Sequence, residues 1–315
     1  MLDLKEVNTK MPHSATFENL KNKLEENKPL AEFSTFNTGG PAKWFVLADT
    51  VEILAEALKM AHQKQIKHVV IGGGSNLLIS DDGFDGLVIK VALKGLKLAS
   101  ETIIECSAGE SLMDLIRFMA ENSLTGLEFA SGIAGTVGGA IYGNAGAYGG
   151  EIKDVLTSVT LVDVEGNIKK VAPDYCKFQY RDSYLKKSKE IVAQACFSFE
   201  KGNKDIINQK IEEILAIRAG KHPVDGKTAG SFFKNIPDPK EKYGKLAAGK
   251  LLEEAGAKEL VVGGAAVYEK HANMIINTNN ATSKDIRELA DMMKKKVYDK
   301  FGIELEEEVI TIGKF

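Results

Sequence analysis

The chain has 315 residues, of which 44% are hydrophobic and 27% charged, and its formal net charge is −3. A chain of this length can bury an ample core and suggests two or three domains. The sequence has no basic run and no window of uninterrupted apolar residues long enough for a membrane span, so we expect neither a nucleic-acid nor a membrane partner.

The cysteines and histidines indicate the compartment and the absence of a metal. Cys106, Cys176 and Cys196 are odd in number and far apart, which is typical of a reducing compartment. The N-terminus has no apolar segment of a secretory signal, so we expect a cytoplasmic protein. The five histidines show no metal-ligand spacing, and we expect no protein metal site.

The first half of the chain reads as mixed helix and strand. Residues 1–28 are predicted to form an N-terminal arm with a helix over 15–26. The apolar spacing after this arm predicts a helix over 51–63 and a strand over 67–71, an α/β unit. Further elements are strands at 77–80, 87–91 and 102–107 and a helix at 110–122.

The second half is first rich in strands and then mixed again. Strands are predicted at 157–164, 167–171 and 191–199, and a helix follows at 204–218, so we place a domain boundary near residue 205. Residues 221–237 are irregular and carry three lysines, and long irregular loops in compact domains are usually functional. Beyond them we expect a helix at 244–254, strands at 265–268 and 274–277, a helix at 283–301 and a strand at 303–312.

Two glycine-rich segments suggest a phosphate-bearing ligand. Residues 72–76, GGGSN, follow a predicted strand but match neither the GxGxxG turn nor the P-loop. Residues 131–150 hold eight of the thirty glycines, although glycine costs about 0.5–1 kcal/mol relative to alanine inside a helix or strand. Such density favours backbone that lies close to a bulky anion, since free amides in glycine-rich turns form anion-binding concavities.

Six motifs together resemble the UDP-N-acetylenolpyruvoylglucosamine reductase (MurB) family. They keep the family's order from residue 29 to 312 and are GGPA at 39–42, IGGGSNLLISDDGFDGLVI at 71–89, GLEFASGIAGTVGGAIYGNAGAYG at 126–149, YRDS at 180–183, AGSFFKN at 229–235 and LEEEV at 305–309. The short segment between Tyr180 and Ser231 lacks the tyrosine-bearing loop of one branch of the family, so the chain resembles the shorter-loop branch.

The resemblance implies an α+β fold with an FAD-binding domain of the vanillyl-alcohol-oxidase (PCMH) type. This domain would span 29–205 in two lobes, about 29–96 and 97–205, and a C-terminal α+β substrate domain would span 206–315. The implied FAD contacts come from both glycine-rich segments: Ile71, Gly72, Gly73, Gly74, Ser75, Asn76, Ser131, Gly132, Gly135, Thr136, Gly138, Gly139 and Gly146.

The resemblance also implies a reaction in peptidoglycan precursor synthesis. NADPH would reduce FAD, and the reduced flavin would then reduce UDP-N-acetylglucosamine enolpyruvate to UDP-N-acetylmuramate. Arg181 matches the arginine near the substrate carboxylate, Ser231 the proton donor and Glu308 the glutamate that assists at the enolate. Strand alternation alone does not choose between Glu306 and Glu308.

The family's contacts with the UDP-sugar fall on Tyr180, Lys221, Asn235 and His271. The partners implied are therefore this sugar and NADPH, and no protein partner is predicted. Two other functions stay open at this point: another FAD oxidase of the same fold that acts on an alcohol or lactone, and a nucleotide-binding protein without activity. The motifs at 221–237 and 303–309 argue against the oxidase, because an oxidase needs no protonating serine.

Overall fold

A computed structural model describes residues 20–223, 226–241 and 244–315. The first packed unit is built on a four-stranded sheet in the order β1-β2-β5-β3, in which β2, β5 and β3 are parallel and β1 is antiparallel. The helix α1, Val51–Gln63, covers one face of this sheet and is capped by the Thr50 side chain. The strands are β1 Leu24–Pro29, β2 Pro41–Ala48, β3 His68–Ile71, β4 Leu77–Ile79 and β5 Phe84–Val91.

The side chains of β5 alternate between two cores, as expected for a strand buried on both faces. Leu87 and Ile89 lie in the largest apolar cluster, whereas Phe84 and Val88 lie in a smaller one with Phe45. The predicted strands at 67–71, 77–80 and 87–91 and the helix at 51–63 are therefore confirmed, with ends that differ by a few residues.

The second unit is a five-stranded sheet in the order β12-β11-β13-β7-β6, and all its pairs are antiparallel. Three helices accompany it: α2 Leu112–Glu121, α3 Val137–Tyr142 and α4 Leu185–Ser188. The strands from this part of the chain are β6 Leu96–Leu98, β7 Ile103–Ser107, β8 Leu124–Thr125, β9 Gly146–Ala147, β10 Gly150–Glu151, β11 Leu156–Val162, β12 Ile168–Val171, β13 Ile191–Ser198 and β14 Glu200–Lys201.

The helix α5, Lys204–Ala219, packs against the largest apolar cluster although it follows the predicted domain boundary near residue 205. Its buried residues Ile207 and Ile211 belong to the cluster that contains the first two sheets. We therefore propose that the boundary between the packed units follows this helix and falls between residues 220 and 228.

The third unit has its own apolar cluster, which includes Phe232, Leu252 and Leu289. Two helices enclose it, α6 Ala248–Glu254 and α7 Ser283–Phe301. Thr282 and Asp285 form a capping box at the start of α7, and Gly302 ends this helix in the left-handed region. The strands are β15 Ile236–Pro237, β16 Lys245–Leu246, β17 Val261–Val262, β18 Ala265–Val267, β19 Ile275–Asn277 and β20 Ile310–Ile312.

The C-terminal strand returns to the first unit. β20 pairs in parallel with β4, and Ile312 joins the apolar cluster of Phe45. Asp81, in the turn after β4, accepts hydrogen bonds from the amide and hydroxyl of Ser283 at 2.7 and 2.8 Å. In the described part of the chain, no helix is both long and apolar enough to cross a bilayer.

Three predicted elements differ from the structure. The helix predicted over 15–26 is wrong at 24–26, which belong to β1, and its residues 15–19 lie outside the described part of the chain. Residues 24–28, assigned above to an arm, thus form part of the first sheet because Leu24 to Pro29 pair with β2. The helix predicted from 244 begins at Ala248, and of the strand predicted over 303–312 only Ile310–Ile312 forms a ladder.

Candidate functional site

The two glycine-rich segments lie against each other. The Ser75 hydroxyl donates to the carbonyl of Ala134 at 2.8 Å. A Cβ added to Gly73 would lie 2.8 Å from Cα of Gly135, so no larger residue fits between these two backbones. The segments come from different packed units, since residues 72–76 follow β3 of the first unit and residues 131–136 precede the helix α3 of the second unit.

The paired segments present polar backbone without protein partners. Among the residues that the structure describes, the amides of Gly73, Gly74 and Ser75 donate no hydrogen bond. The Ser131 hydroxyl is buried and likewise makes no hydrogen bond to the described residues. A buried hydroxyl is nearly always paired in a folded protein, and free amides in glycine-rich turns form anion-binding concavities. These groups therefore suit a ligand with several acceptor oxygens, such as the pyrophosphate of a dinucleotide.

Some residues predicted to contact FAD are engaged elsewhere. The Ile71 side chain packs in the apolar cluster of Phe45, so only its backbone is available to a ligand. A Cβ on Gly138 would meet Cβ of Ala108 at 2.8 Å, which explains this glycine by packing. The carbonyl of Gly146 accepts a hydrogen bond from Arg181 at 2.7 Å.

Arg181 and Glu308 form an ion pair between the second and third units. The Nε atom of Arg181 lies 3.0 Å from Oε1 of Glu308. Arg181 has a φ of 53°, which is uncommon for a residue with a side chain. The turn is closed by hydrogen bonds between Gln179 and Asp182, and Lys186 donates to the carbonyl of Arg181. These contacts hold the guanidinium at the unit boundary.

The three consecutive glutamates each face a different cation. Glu306 pairs with Lys234, Glu307 accepts two hydrogen bonds of 2.7 Å from Arg287, and Glu308 pairs with Arg181. The Glu306 side chain is 73% exposed, whereas that of Glu308 is 22% exposed. The alternation predicted for a strand is absent, and Glu308 is the glutamate that meets Arg181.

Burial shapes the ionisation of this site. Burial raises the pKa of Glu308 above its ordinary value, although the charge of Arg181 opposes the shift. Burial also raises the pKa of Tyr180, whose ring lies 5.1 Å from Cζ of Arg181. A carboxyl group whose protonated form is favoured in this way is a candidate acid or hydrogen-bond donor.

Ser231 lies beside the glutamate segment because the backbones of 231–234 and 306–308 are hydrogen-bonded. Glu308 donates its amide to the carbonyl of Phe232 at 2.8 Å. Asn273 is buried and exchanges hydrogen bonds of 2.9 and 2.8 Å with the backbone of Phe233, which fixes this loop from the other side.

Tyr180 and Asn235 lie next to the Arg181–Glu308 pair. The amide of Asn235 faces the Tyr180 hydroxyl, and the Asn235 side chain accepts from the amide of Ala248 at 3.1 Å. Lys245 also lies over the Tyr180 ring, with its Nζ atom 3.5 Å from the ring centroid. Two cations, Arg181 and Lys245, are thus within cation–π distance of one aromatic ring.

Lys221 and His271 lie in a separate basic cluster. The rings of His222 and His271 are 5.4 Å apart, and Arg218 and Lys221 contribute positive charge to both histidines. Burial, with help from Arg218, lowers the pKa of His222 to about 4. Arg218 also donates to the carbonyl of Gly132 at 3.1 Å, so the cluster adjoins a glycine-rich segment.

Comparisons with known proteins find one family model for the part of the chain with the glycine-rich segments and another for the part with Ser231 and Glu308. Residues 42–172 match the family model described as FAD binding domain, and residues 222–312 match that of the UDP-N-acetylenolpyruvoylglucosamine reductase C-terminal domain. The reductase of Listeria innocua is 39% identical over 290 residues, which are 92% of this chain and 95% of that relative. The chain belongs to the UDP-N-acetylenolpyruvoylglucosamine reductase family.

Other members of the UDP-N-acetylenolpyruvoylglucosamine reductase family agree in length and fold. The reductase of Caldanaerobacter subterraneus is 40% identical over 92% of this chain and 94% of its own length. The crystal structure of the Thermus caldophilus enzyme superposes with a TM-score of 0.78 at 32% identity and covers 91% of this chain and 98% of that one. The two-part α+β fold inferred from the motifs is therefore confirmed.

The structure brings together most of the predicted substrate and catalytic residues but adds others. Arg181, Glu308, Tyr180 and Asn235 are adjacent, and Ser231 is held beside them by backbone bonds. Sequence reasoning missed Lys245, Arg218, His222 and Asn273. Lys245 was assigned to a helix, and no local signal identifies Asn273, whose partner Phe233 is distant in sequence. Among the described residues, no cluster of three or more potential ligands could hold a metal.

Proposed function

We propose that this protein reduces the enolpyruvyl group of UDP-N-acetylglucosamine enolpyruvate to give UDP-N-acetylmuramate, with NADPH as reductant and FAD as cofactor. The observation that carries the proposal is the Arg181–Glu308 pair, set beside the Ser231 loop and tied to the glycine-rich residues 72–76. This arrangement suits a reaction that develops negative charge next to a carboxylate and then needs a proton.

The residues that would hold FAD are the unpaired amides of Gly73, Gly74 and Ser75 and the segment 131–136 packed on them. Bound FAD would supply the hydride chemistry, accepting a hydride from NADPH and delivering one to the methylene carbon of the enolpyruvyl group. The tight contact between Gly73 and Gly135 supports a rigid cradle for this cofactor.

Arg181 would bind the carboxylate of the substrate. After hydride addition to the methylene carbon, the electron pair of the double bond resides on the α-carbon and spreads into the carboxylate. A guanidinium stays charged and pairs with both carboxylate oxygens, so it stabilises the enolate more than the ground state. The hydrogen bond from Arg181 to the carbonyl of Gly146 fixes the direction of this fork.

Glu308 would assist at the enolate and Ser231 would protonate it. An incoming carboxylate places a second negative charge near Glu308, which raises its pKa further and favours the protonated, hydrogen-bond-donating form. The Ser231 hydroxyl would give its proton to the α-carbon, and the resulting alkoxide would recover a proton from solvent.

Two groups of residues would bind the nucleotide part of the substrate: those next to the Arg181–Glu308 pair and those of the basic cluster. Tyr180 and Asn235, next to the Arg181–Glu308 pair, would contact the sugar and the neighbouring diphosphate, with Lys245 as a further cation. Lys221 and His271 would bind phosphate groups, either of the UDP-sugar or of NADPH. Because the pKa of His271 is lowered, only the Lys221 ammonium of these two residues would carry a charge, so a bound phosphate group could still be released.

Half-reactions measured on the purified holoenzyme test the proposal. We expect an FAD spectrum that NADPH bleaches and the enolpyruvyl sugar restores. Ser231→Ala should leave bleaching by NADPH within about twofold and slow recovery by roughly a hundredfold or more, which is the lower end of the range for general acid catalysis. NADPH oxidation that ignores the sugar but consumes oxygen would instead favour a flavin oxidase, and equal losses in both half-reactions would refute the proton-donor role of Ser231.

A further inference from the structure

Asn76 connects the glycine-rich residues 72–76 to Glu308 through its side chain and its backbone. Its Nδ2 atom donates to the carbonyl of Glu308 at 2.9 Å. Its own carbonyl accepts from the amide of Ile310 at 3.0 Å. Asn76 therefore holds both ends of the segment 308–310, which carries the Glu308 side chain.

Ser75, the residue before Asn76, contacts the second glycine-rich segment instead. The Ser75 hydroxyl donates to the carbonyl of Ala134 in the second glycine-rich segment. Two neighbouring side chains thus join three pieces of the chain, namely the segments 72–76, 131–136 and 308–310. Of these, the first carries the unpaired amides of Gly73 to Ser75, the second carries the unpaired Ser131 hydroxyl, and the third carries the carboxyl group that meets Arg181.

We propose that Asn76 is a positioning residue that couples occupancy of the 72–76 loop to the placement of Glu308. The inference rests on the proposed function. A pyrophosphate bound to the amides of Gly73 to Ser75 fixes the backbone next to Asn76, and Asn76 in turn fixes the carbonyl of Glu308. The side chain of Asn76 is thereby used on the protein itself rather than on the cofactor.

Thermodynamic linkage makes the coupling measurable from either side. If a filled loop favours the Glu308 geometry that binds the sugar, the sugar must strengthen FAD binding by the same factor. Couplings between sites are typically 5–150-fold, and we expect a factor in this range for the wild-type protein. A purely structural role of Asn76 would lower FAD affinity equally with and without the sugar.

The test compares FAD affinity of the oxidised protein with and without the enolpyruvyl sugar, in the absence of NADPH. Asn76→Ala removes the donor, and Asn76→Asp keeps the shape but places an acceptor against the carbonyl of Glu308. Asn122→Ala is the matched control, because the Asn122 Nδ2 atom also donates to a backbone carbonyl, that of Phe118, at the end of α2. FAD release is followed by flavin fluorescence.

We expect the sugar to tighten FAD binding in the wild-type protein and in Asn122→Ala, and to change it by less than about twofold in both Asn76 variants. Recovery of the flavin by the sugar should fall about tenfold or more in Asn76→Asp, whereas reduction by NADPH should fall much less. A wild-type protein that reacts with the sugar but shows no effect of the sugar on FAD affinity would overturn the inference alone. A protein that holds FAD but neither binds nor reacts with the sugar would refute the proposed function instead.

Discussion

The Nε atom of Arg181 lies 3.0 Å from Oε1 of Glu308, although the two residues belong to different packed units. The arginine is mounted on a turn with positive φ, and the glutamate follows a backbone bridge to the loop of Ser231. The site thus forms only where the two units meet, and its chemistry depends on how precisely they are joined.

Replacing Arg181 by lysine should impair the reaction with the sugar although the charge is retained. Lysine has no planar fork and cannot contact Gly146 and a carboxylate together as the guanidinium does. Hydrogen bonds to charged groups are worth about 1.5–3 kcal/mol each, so the loss of one of them at the half-buried guanidinium should lower kcat/KM for the sugar roughly tenfold or more. Steady-state kinetics measure this, with Arg117→Lys on the exposed face of α2 as control. An Arg181→Lys enzyme within threefold of wild type would exclude a carboxylate-binding role.

Glu308 and Glu306 should respond very differently to conversion to glutamine. Glu308→Gln removes the ionisable group beside Arg181 and should slow flavin recovery by the sugar about tenfold or more, which is less than the loss of a direct general acid because Glu308 only assists at the enolate. Glu306→Gln affects an exposed pair with Lys234 and should change the rate less than twofold, because exposed ion pairs contribute little. Stopped-flow absorbance of the flavin measures both. The reverse ranking would assign the working glutamate to position 306.

The contact between the glycine-rich segments should be required for FAD binding. Gly73→Ala places a methyl group 2.8 Å from Cα of Gly135, and overpacking of this kind typically costs about 1–3 kcal/mol, so FAD affinity should fall about tenfold or more. Gly143→Ala lies in the same glycine-rich stretch, but its Cβ would be 3.6 Å from its nearest neighbour, so it is a matched control. Flavin content after purification and FAD titration measure the effect. Normal FAD binding by Gly73→Ala would place the cofactor elsewhere.

His222 should make the protein less stable in mild acid. Burial lowers its pKa from 6.5 to about 4, so between these values the unfolded chain takes up a proton that the folded protein does not. The free energy of unfolding therefore falls as pH decreases from about 6.5 to 4. In His222→Gln this part of the pH dependence should disappear, whereas His62→Gln on the exposed surface of α1 should behave like wild type. Urea unfolding at several pH values checks this. Parallel wild-type and His222→Gln curves would contradict it.

Periodicity and capping predicted the long elements well. The helix predicted over 283–301 is confirmed at both ends: Thr282 and Asp285 form a capping box at its start, and Gly302 follows its last turn. By contrast, β1 was assigned to a helix, since Leu20 and Leu24 are spaced for one, and only pairing with β2 makes Leu24 to Pro29 a strand. Periodicity within one segment cannot report which strand that segment pairs with.

In the site, too, local patterns predicted individual segments but not the contacts between them. Glycine density predicted two ligand loops, but nothing local indicates that Gly73 touches Gly135 or that Asn76 binds the carbonyl of Glu308. The choice between Glu306 and Glu308 likewise depends on which cation each side chain meets after folding. Lys245 reaches Tyr180 only because β16 pairs with β15, whose Ile236 follows the Ser231 loop.

The pairing of β20 with β4 makes the site depend on segments that are synthesised at different times. Asn76 and Glu308, which are hydrogen-bonded, lie 232 positions apart in the chain. A nascent chain can therefore form its first two sheets before Glu308 has been made, and Glu308 reaches Arg181 only afterwards. Until residues 310–312 have been made, β4 has an open edge, and removing these residues would take away the strand that holds Glu308 against residues 72–76.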